Sequence, residues 1–427
     1  MRILNPIRNR SYMFNVNAIV QYFFLFVIAT IHGTVYWSDV WRDIPLKPAI
    51  IFFIVFIVWC SFRLSLHKFL LIYILLNIAI HGIDGLVQEN RVFGSEAVQA
   101  VMPFLVYIFL VWVFYKLNPQ KALTRFVKFV AAISLFSVVC FTIQIIIGLE
   151  FFSPISQMLN GRGLYGFFLY SVATHDILRN YGIFGEPGIY QIIVNVAIFI
   201  MLFWKRRLDF SNKMYTNVLI VLIITLITIN STIGYIELMC IFGGVVIKGS
   251  KTLKKRIGIV IIIMCIAAIG DFVLSGDESI IMKNLINKII AMSIGDYAVG
   301  FNEATSGGAR LYILSIIAEA FNDSMLWGIG DKGLNNLLSL SATWKDGGTG
   351  NALGIYLIRR GLIPTIAVVL PILYRCYKTK ESIVEYTVIV LMFFLTALAQ
   401  SQIMYASYML LAFGDICKNV REKTEKI

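Results

Sequence analysis

Residues 188–207 read GIYQIIVNVAIFIMLFWKRR, a mostly apolar run that ends in three cations. A run of about 20 such residues is long enough for a helix to cross the hydrocarbon core of a bilayer. Lys and Arg at the end of an apolar run are typical of the cytoplasmic border of a membrane helix. This stretch therefore predicts a membrane-spanning helix at 188–204.

Apolar runs of the same kind recur along the whole 427-residue chain. Hydrophobic residues make up 59% of the chain and charged residues 14%, whereas soluble chains are nearer half apolar and a quarter charged. We therefore predict an all-α polytopic membrane protein, a single integral membrane domain over residues 1–427, with about 12 transmembrane helices. The candidate spans are 17–35, 46–61, 69–83, 97–115, 126–149, 188–204, 215–230, 233–247, 257–274, 362–374, 383–400 and 403–417.

The net charge of +13 is unevenly distributed. Most Lys and Arg fall in the two termini and in alternate short loops, for example at 205–207 and 251–256. This is the positive-inside bias of a membrane protein, and the excess of cations suits anionic inner-leaflet lipid. The distribution argues against a nucleic-acid partner, predicts both termini in the cytoplasm, and favours membrane lipid as a partner.

Two connections on the predicted outer side are long, at about 150–187 and 275–351. Long loops in a compact protein are usually functional or disordered, and these are rich in aromatic residues and helical patterns. We expect both loops to be structured and to fold onto the outer ends of the helices as a cap over a site.

The first outer loop ends in RNYGIFGEPG at 179–188, directly before a predicted span. Pro187 suits the first position of a helix, and Glu186 would be its cap. We single out Arg179 as a substrate-binding residue, because charge at membrane depth is expensive and usually functional. A capped helix whose Glu186 pairs with Arg179 explains the same residues equally well. Elsewhere in this loop, Arg162 is a candidate substrate-binding residue and His175 a candidate catalytic base.

The second outer loop and its end supply further cations. Arg310 follows a Gly-rich turn at the start of a helical stretch, an arrangement that suits an anion. Asn351 precedes a short helix that ends in Arg359 and Arg360, against the positive-inside bias. Something anionic would compensate these two arginines; interfacial snorkelling is the alternative for one of them.

Glu237 lies within the eighth predicted span. A carboxylate inside a membrane helix is a candidate for proton coupling, so a transporter remains a second hypothesis. The six cysteines show no ligand spacing, and the chain has no phosphate-binding loop, zinc spacing or paired-aspartate motif. We predict no metal and no cofactor.

Three segments together resemble the O-antigen polymerase and O-antigen ligase superfamily of bacterial envelope enzymes, which includes Wzy-type capsule polymerases. The segment at 179–188 is similar to the family's Arg…Gly-(Leu/Ile)-Phe-x-Glu-Pro pattern. GARL at 308–311 with WGIG at 327–330 resembles its Arg-bearing helix and glycine turn. NALGIYLIRRGLI at 351–363 is similar to its His-Asn…Gly-Leu-Ile segment, except that Gly350 stands where ligases have His. The departure favours the polymerase over the ligase.

This resemblance implies glycosyl transfer from one polyprenyl-pyrophosphate-linked oligosaccharide to another at the outer face of the bacterial inner membrane. It implies substrate-binding roles for Arg179, Arg310, Asn351, Arg359 and Arg360 and a catalytic base, for which Glu186 and His175 are the outer-loop candidates. Arg162 stays a substrate-binding candidate from its place in the first outer loop. The implied partners are the lipid-linked oligosaccharide, a flippase and a chain-length regulator. Because planar guanidinium groups bind phosphate oxygens in pairs, arginines would stabilise the leaving pyrophosphate without a metal. The alternatives are a flippase or transporter of the same lipid, and a ligase.

Overall fold

The computed structural model describes residues 16–31, 47–87, 96–157, 163–173, 178–249, 324–339, 351–400 and 402–416. The described chain is mostly helical, and each predicted span within it contains a helix. The predicted span at 257–274 and most of the second outer loop lie outside the described residues. The helices are α1 Val16–Thr30, α2 Lys47–Ser61, α3 Lys68–Val87, α4 Glu96–Leu117, α5 Ala122–Ile147, α6 Pro187–Phe203, α7 Asn212–Ile229, α8 Thr232–Lys248, α9 Gly330–Ser339, α10 Ala352–Arg360, α11 Leu362–Thr379, α12 Ile383–Ala399 and α13 Ala406–Leu411.

Four of the described helices are long and apolar enough to cross a membrane, namely α3, α5, α7 and α11. Shorter apolar helices accompany them, among them α1, α6 and α12. Large apolar side chains such as Phe53, Ile72, Ile146 and Leu370 point outward and are more than half exposed. Because soluble proteins rarely expose contiguous apolar faces of this extent, these helices indicate a membrane protein.

Helix α6 is the centre of the core, because all of its residues are buried. A helix that is apolar on every side has no face to present to solvent, and α6 is surrounded by α5, α7, α8 and α13. The short helix α13 is also entirely buried and packs between α1, α4 and α6. The Tyr115 hydroxyl on α4 donates to the Leu410 carbonyl at 2.8 Å and holds α13 in place.

Short polar residues set the starts of several helices. The Ser211, Ser231 and Ser382 hydroxyls accept hydrogen bonds from the backbone N–H groups of Met214, Gly234 and Glu385. Each such cap satisfies an N–H group that the first helical turn would leave without a partner. The helices therefore begin where local sequence signals predict.

The two ends of the helical bundle differ in charge. We call one of them the basic end; it holds the cations at 205–207 and the ion pairs Arg207–Glu381 (2.9 Å) and Arg375–Asp415 (2.5 Å). At this end the buried Glu385 carboxylate accepts a hydrogen bond from the Trp204 indole N–H at 2.7 Å. The opposite end, here the loop end, is where α5, α7 and α12 finish and α6 and α10 begin. Every sequence-predicted site residue that the structure describes lies at this loop end.

The described part of the first long loop contains a small sheet that the all-α prediction did not include. Strands β1 Ser153–Gln157, β2 Gly163–Phe167 and β3 Tyr170–Ala173 form an antiparallel sheet in the order β1-β2-β3. The Tyr170 hydroxyl donates to the Gln144 side-chain oxygen on α5 at 2.6 Å. Burial against α5 raises the pKa of the Tyr170 hydroxyl well above its usual value, so the hydroxyl remains a donor. The sheet is thereby fixed onto the loop end of α5.

Candidate functional site

Asn180 anchors the turn between the sheet and α6. Its buried side-chain amide donates to the hydroxyls of Ser137 on α5 (3.2 Å) and Thr228 on α7 (2.9 Å). Its backbone N–H donates to the Thr228 carbonyl at 2.9 Å. Because a buried amide is costly to leave without partners, these bonds hold the segment before α6 at the ends of two other helices.

Residue 182 must be a glycine because of its backbone conformation and because Tyr190 lies against it. Gly182 has a φ of +57°, which favours glycine, and a side chain there would overlap the Tyr190 ring. The Tyr190 ring stacks on Phe184 with 5.0 Å between centroids, and its hydroxyl lies 2.7 Å from the Ser137 hydroxyl. The glycine therefore lets the turn lie directly against α6.

Arg179 lies at the loop end of α7, half-buried. Its Nε donates to the carbonyl of Ile229, the last residue of α7, at 3.2 Å. A cation is stabilised at a helix C-terminus, because the free carbonyl groups there carry partial negative charge. Arg179, which the sequence analysis predicts to bind substrate, is thus also bonded to the end of α7.

Glu186 occupies the N-cap position of α6, and Pro187 is the first helical residue, as predicted. The Glu186 backbone is extended (φ −145°, ψ 129°), and its side chain makes no capping hydrogen bond. The Glu186 side chain is exposed, unlike every residue of the helix that it precedes. Its carboxylate stands at the positive end of the α6 dipole, accessible to a ligand.

Gln400 brings the first and third predicted motifs together. A Cβ on Gly188 would overlap the Gln400 side-chain amide, so α6 starts in direct contact with this glutamine. The Gln400 carbonyl accepts a hydrogen bond from the Ala352 N–H at 2.9 Å. The buried Asn351 caps α10, with its side-chain oxygen accepting from the Gly354 N–H at 2.9 Å. Gln400 therefore contacts both Gly188 at the start of α6 and Ala352 at the start of α10.

Gly328 and Gly361 bring the second and third motifs together. Both have positive φ angles, +69° and +80°, and a Cβ on either would overlap the backbone of the other segment. The Ile329 N–H donates to the Ile358 carbonyl at 2.9 Å, beside this contact. The glycine turn of the second loop is thus packed against the end of α10, which carries Arg359 and Arg360.

Arg360 is buried and faces Asp84, near the end of α3, with 3.4 Å between Nη1 and Oδ2. One helical turn earlier on α3, the His81 Nε2 lies 2.8 Å from the Tyr356 hydroxyl on α10. The anion expected to compensate the paired arginines is therefore, for Arg360, a carboxylate of the chain itself. Arg359, its neighbour, is half-buried.

His81 and Asp84 contact α10 and are candidate site residues that the sequence analysis did not identify. Both lie near the end of a span, and their spacing of three residues places them on one face of a helix. Two ionisable residues on one face of an otherwise apolar helix are the signal by which they can be found.

Glu237 is fully buried within the bundle, between α8, α6, α12 and α13. One carboxylate oxygen accepts from the Asn195 amide at 2.9 Å, and the other from the Thr396 hydroxyl at 2.5 Å and the Tyr408 hydroxyl at 3.4 Å. Both carboxylate oxygens of Glu237 accept hydrogen bonds, and such a buried network helps to specify the arrangement of the helices around it.

Three predicted site residues, His175, Arg162 and Arg310, lie outside the described residues. The predicted meeting of Arg179 and Arg310 at one pyrophosphate therefore stays a prediction. The described part of the chain assembles the other candidates at the loop end of one bundle. This arrangement defines a class: a helical membrane protein with polar residues and a small loop sheet at one end. No protein-family model matches the chain, and no curated protein is similar to it.

Proposed function

We propose that this protein polymerises a bacterial surface polysaccharide, an O-antigen or a capsule, from polyprenyl-pyrophosphate-linked repeat units. One observation carries the proposal: the segments at 182–188, 327–330 and 351–361 lie in one chain of contacts. Gly188 contacts Gln400, Gln400 bonds to Ala352, and α10 ends against Gly328. They belong to the segments 179–188, 308–311 with 327–330, and 351–363, which resemble the O-antigen polymerase and ligase superfamily; of these, 308–311 lies outside the described residues. A shared site requires that these segments meet.

We assign the chemistry from the candidate residues, of which Arg162, His175 and Arg310 lie outside the described part of the chain. In the proposed reaction the terminal hydroxyl of a new repeat unit attacks the first sugar of the growing glycan, and the polyprenyl pyrophosphate leaves. Glu186 removes the hydroxyl proton, which requires a carboxylate within hydrogen-bond reach. Arg179, with Arg310, stabilises the charge that develops on the leaving pyrophosphate. Arg162, Arg359 and Asn351 belong to the substrate-binding set.

The exposure of Glu186 supports this assignment of roles. A general base must reach its substrate, and the Glu186 side chain is exposed at the loop end whereas Glu237 is fully buried. His175 remains the other candidate base. The pairing of Arg360 with Asp84 gives Arg360 the weaker claim of the two adjacent arginines to a phosphate, since its charge is already balanced.

A transporter or flippase of the same lipid-linked oligosaccharide is the second candidate function. The observation that favours it is the buried Glu237 carboxylate, because intramembrane carboxylates commonly take part in proton coupling. A ligase differs from the polymerase only in the acceptor, and Gly350 in place of the ligase histidine argues against it.

Analysis of the lipid-linked glycans of a strain that lacks the gene separates these functions. The proposal predicts single repeat units on the carrier lipid at the outer face of the membrane and no polymer. Units trapped at the cytoplasmic face would identify a flippase instead. Polymer that accumulates on the carrier lipid without reaching its final acceptor would identify a ligase.

A further inference from the structure

A cavity of about 230 Å³ lies at the basic end, remote in the fold from the candidate site. It is formed by α1, the first turns of α5 and the linker before α7. Its lining residues are Tyr22, Lys121, Thr124, Arg125, Lys128 and Asp209.

The cavity carries an excess of positive charge. Three of its lining residues are cations and one is a carboxylate. The ion pairs of the described residues do not include Lys121, Arg125, Lys128 or Asp209. Three cations against one carboxylate leave the cavity with a positive excess, which favours an anion in the space between them.

Arg125 is held rigidly at the wall of the cavity. Its side chain is more than nine-tenths buried, and Nη1 donates to the side-chain oxygen of Gln21. Gln21 is itself fixed, because its amide donates to the Phe114 carbonyl at 2.8 Å. A guanidinium group has five N–H donors, so the bond to Gln21 leaves donors in fixed positions for a ligand. Arg is the side chain best suited to phosphate oxygens.

The surface beside the cavity is apolar. Next to Tyr22 on α1, Val16, Ile19 and Phe23 are exposed by about half of their surface or more. Acyl chains lying along this face of α1 would place a headgroup at the cavity. Asp209 disfavours a doubly charged anion, and its carboxylate can accept a hydrogen bond from a hydroxyl-bearing headgroup.

We infer that this cavity binds the phosphate diester of an anionic phospholipid, with Arg125, Lys121 and Lys128 around the phosphate. Basic pockets between transmembrane helices are known to bind lipid headgroups in this way. The site stands apart from the proposed glycosyl transfer and does not depend on it.

The test measures the thermal unfolding temperature of the purified full-length protein in detergent as phosphatidylglycerol is added. Phosphatidylcholine is the lipid control, and sodium phosphate at the same concentrations is the free-anion control. We expect stabilisation by phosphatidylglycerol alone. Equal stabilisation by phosphatidylcholine would overturn the site, and equal stabilisation by sodium phosphate would overturn its assignment to lipid.

Variants locate the binding. The double variant Lys121→Gln/Lys128→Gln changes an exposed and a half-buried side chain, so its unfolding temperature without lipid should match the wild type. A Lys near an anionic headgroup contributes about a fivefold change in affinity, so the pair should weaken phosphatidylglycerol binding about 25-fold. Lys213→Gln removes the same charge at the same end but outside the cavity lining. A loss from Lys213→Gln as large as that from the double variant would show general surface attraction and overturn the inference.

Discussion

Asp84 and Arg360 form a buried ion pair across 276 positions of sequence, with 3.4 Å between Oδ2 and Nη1. Neither side chain is more than 3% exposed. The pair joins α3 to α10, and therefore fixes the helix that Asn351 caps in the candidate site.

Removing one partner of this pair should destabilise the protein strongly. Asp84→Ala removes the carboxylate that faces the buried Arg360, and breaking one partner of a buried ion pair costs about 3–5 kcal/mol. The double variant Asp84→Ala/Arg360→Met should recover most of that loss, since it removes both charges. Thermal unfolding in detergent measures this, with the exposed Lys332→Gln as the control. Equal losses in the single and double variants would contradict the pairing.

Substitution of Gly328 or Gly361 should disrupt the contact between the glycine turn and α10. Each has a positive φ, and an alanine Cβ would meet the backbone of the facing segment. The backbone strain alone costs about 1–3 kcal/mol. Gly243→Ala on α8 is the matched control, because a Cβ there meets nothing within 4 Å, and Ala is favoured over Gly in a helix by about 1 kcal/mol. A neutral Gly361→Ala would refute the close approach.

Glu186→Gln should reduce polymer formation without changing stability. The side chain is exposed, and glutamine keeps its shape, so we expect the fold to remain intact. Loss of a general base lowers rates by about 10²–10⁴-fold. Extension of lipid-linked repeat units by purified protein measures this, with Glu150→Gln, another exposed carboxylate at the loop end, as the control. A near wild-type rate would transfer the role to His175 or to the substrate.

Arg179→Lys should abolish polymer while the protein still accumulates in the membrane. Lysine keeps a cation at the C-terminus of α7 and so retains the favourable dipole interaction. It lacks the paired donors that fit a pyrophosphate. Polymer length on gels and protein level in membranes are the two readouts, with Arg206→Lys at the basic end as the control. Full polymer formation by Arg179→Lys would remove this residue from the site.

Glu237 variants should separate the polymerase from the transporter. Glu237→Gln preserves shape and an acceptor for the surrounding donors, so an enzyme that does not use this proton should still form polymer. Glu237→Leu leaves buried donors without an acceptor, at about 1–3 kcal/mol for each. Polymer in cells and unfolding temperature of the purified protein are compared. A folded Glu237→Gln protein that makes no polymer would favour proton-coupled transport.

Local patterns in the sequence account for much of the fold. The start of α6 at Pro187 follows from a proline in the first helical position, and its end follows from the three cations after Trp204. These features act within one helical turn, so they are readable from the chain without knowing what packs against it. The sheet in the first loop was missed, because the aromatic residues at 165–170 are interrupted by Gly166 and lack a clear alternation.

The amino-acid sequence alone determined the apolar helices, the asymmetry of charge between the two ends, and the cap position of Glu186. Each of these depends on composition or on neighbours within a few residues. Tertiary structure alone decided that Asp84 faces Arg360, that Gln400 stands between Gly188 and Ala352, and that Gly328 lies on Gly361. Such contacts join residues far apart in the chain. They depend on which helices pack against each other closely, and this is decided by the whole interior rather than by neighbours in sequence. The roles of Gly361, Gln400 and Asp84 can be assigned only once the segment that packs against each of them is known.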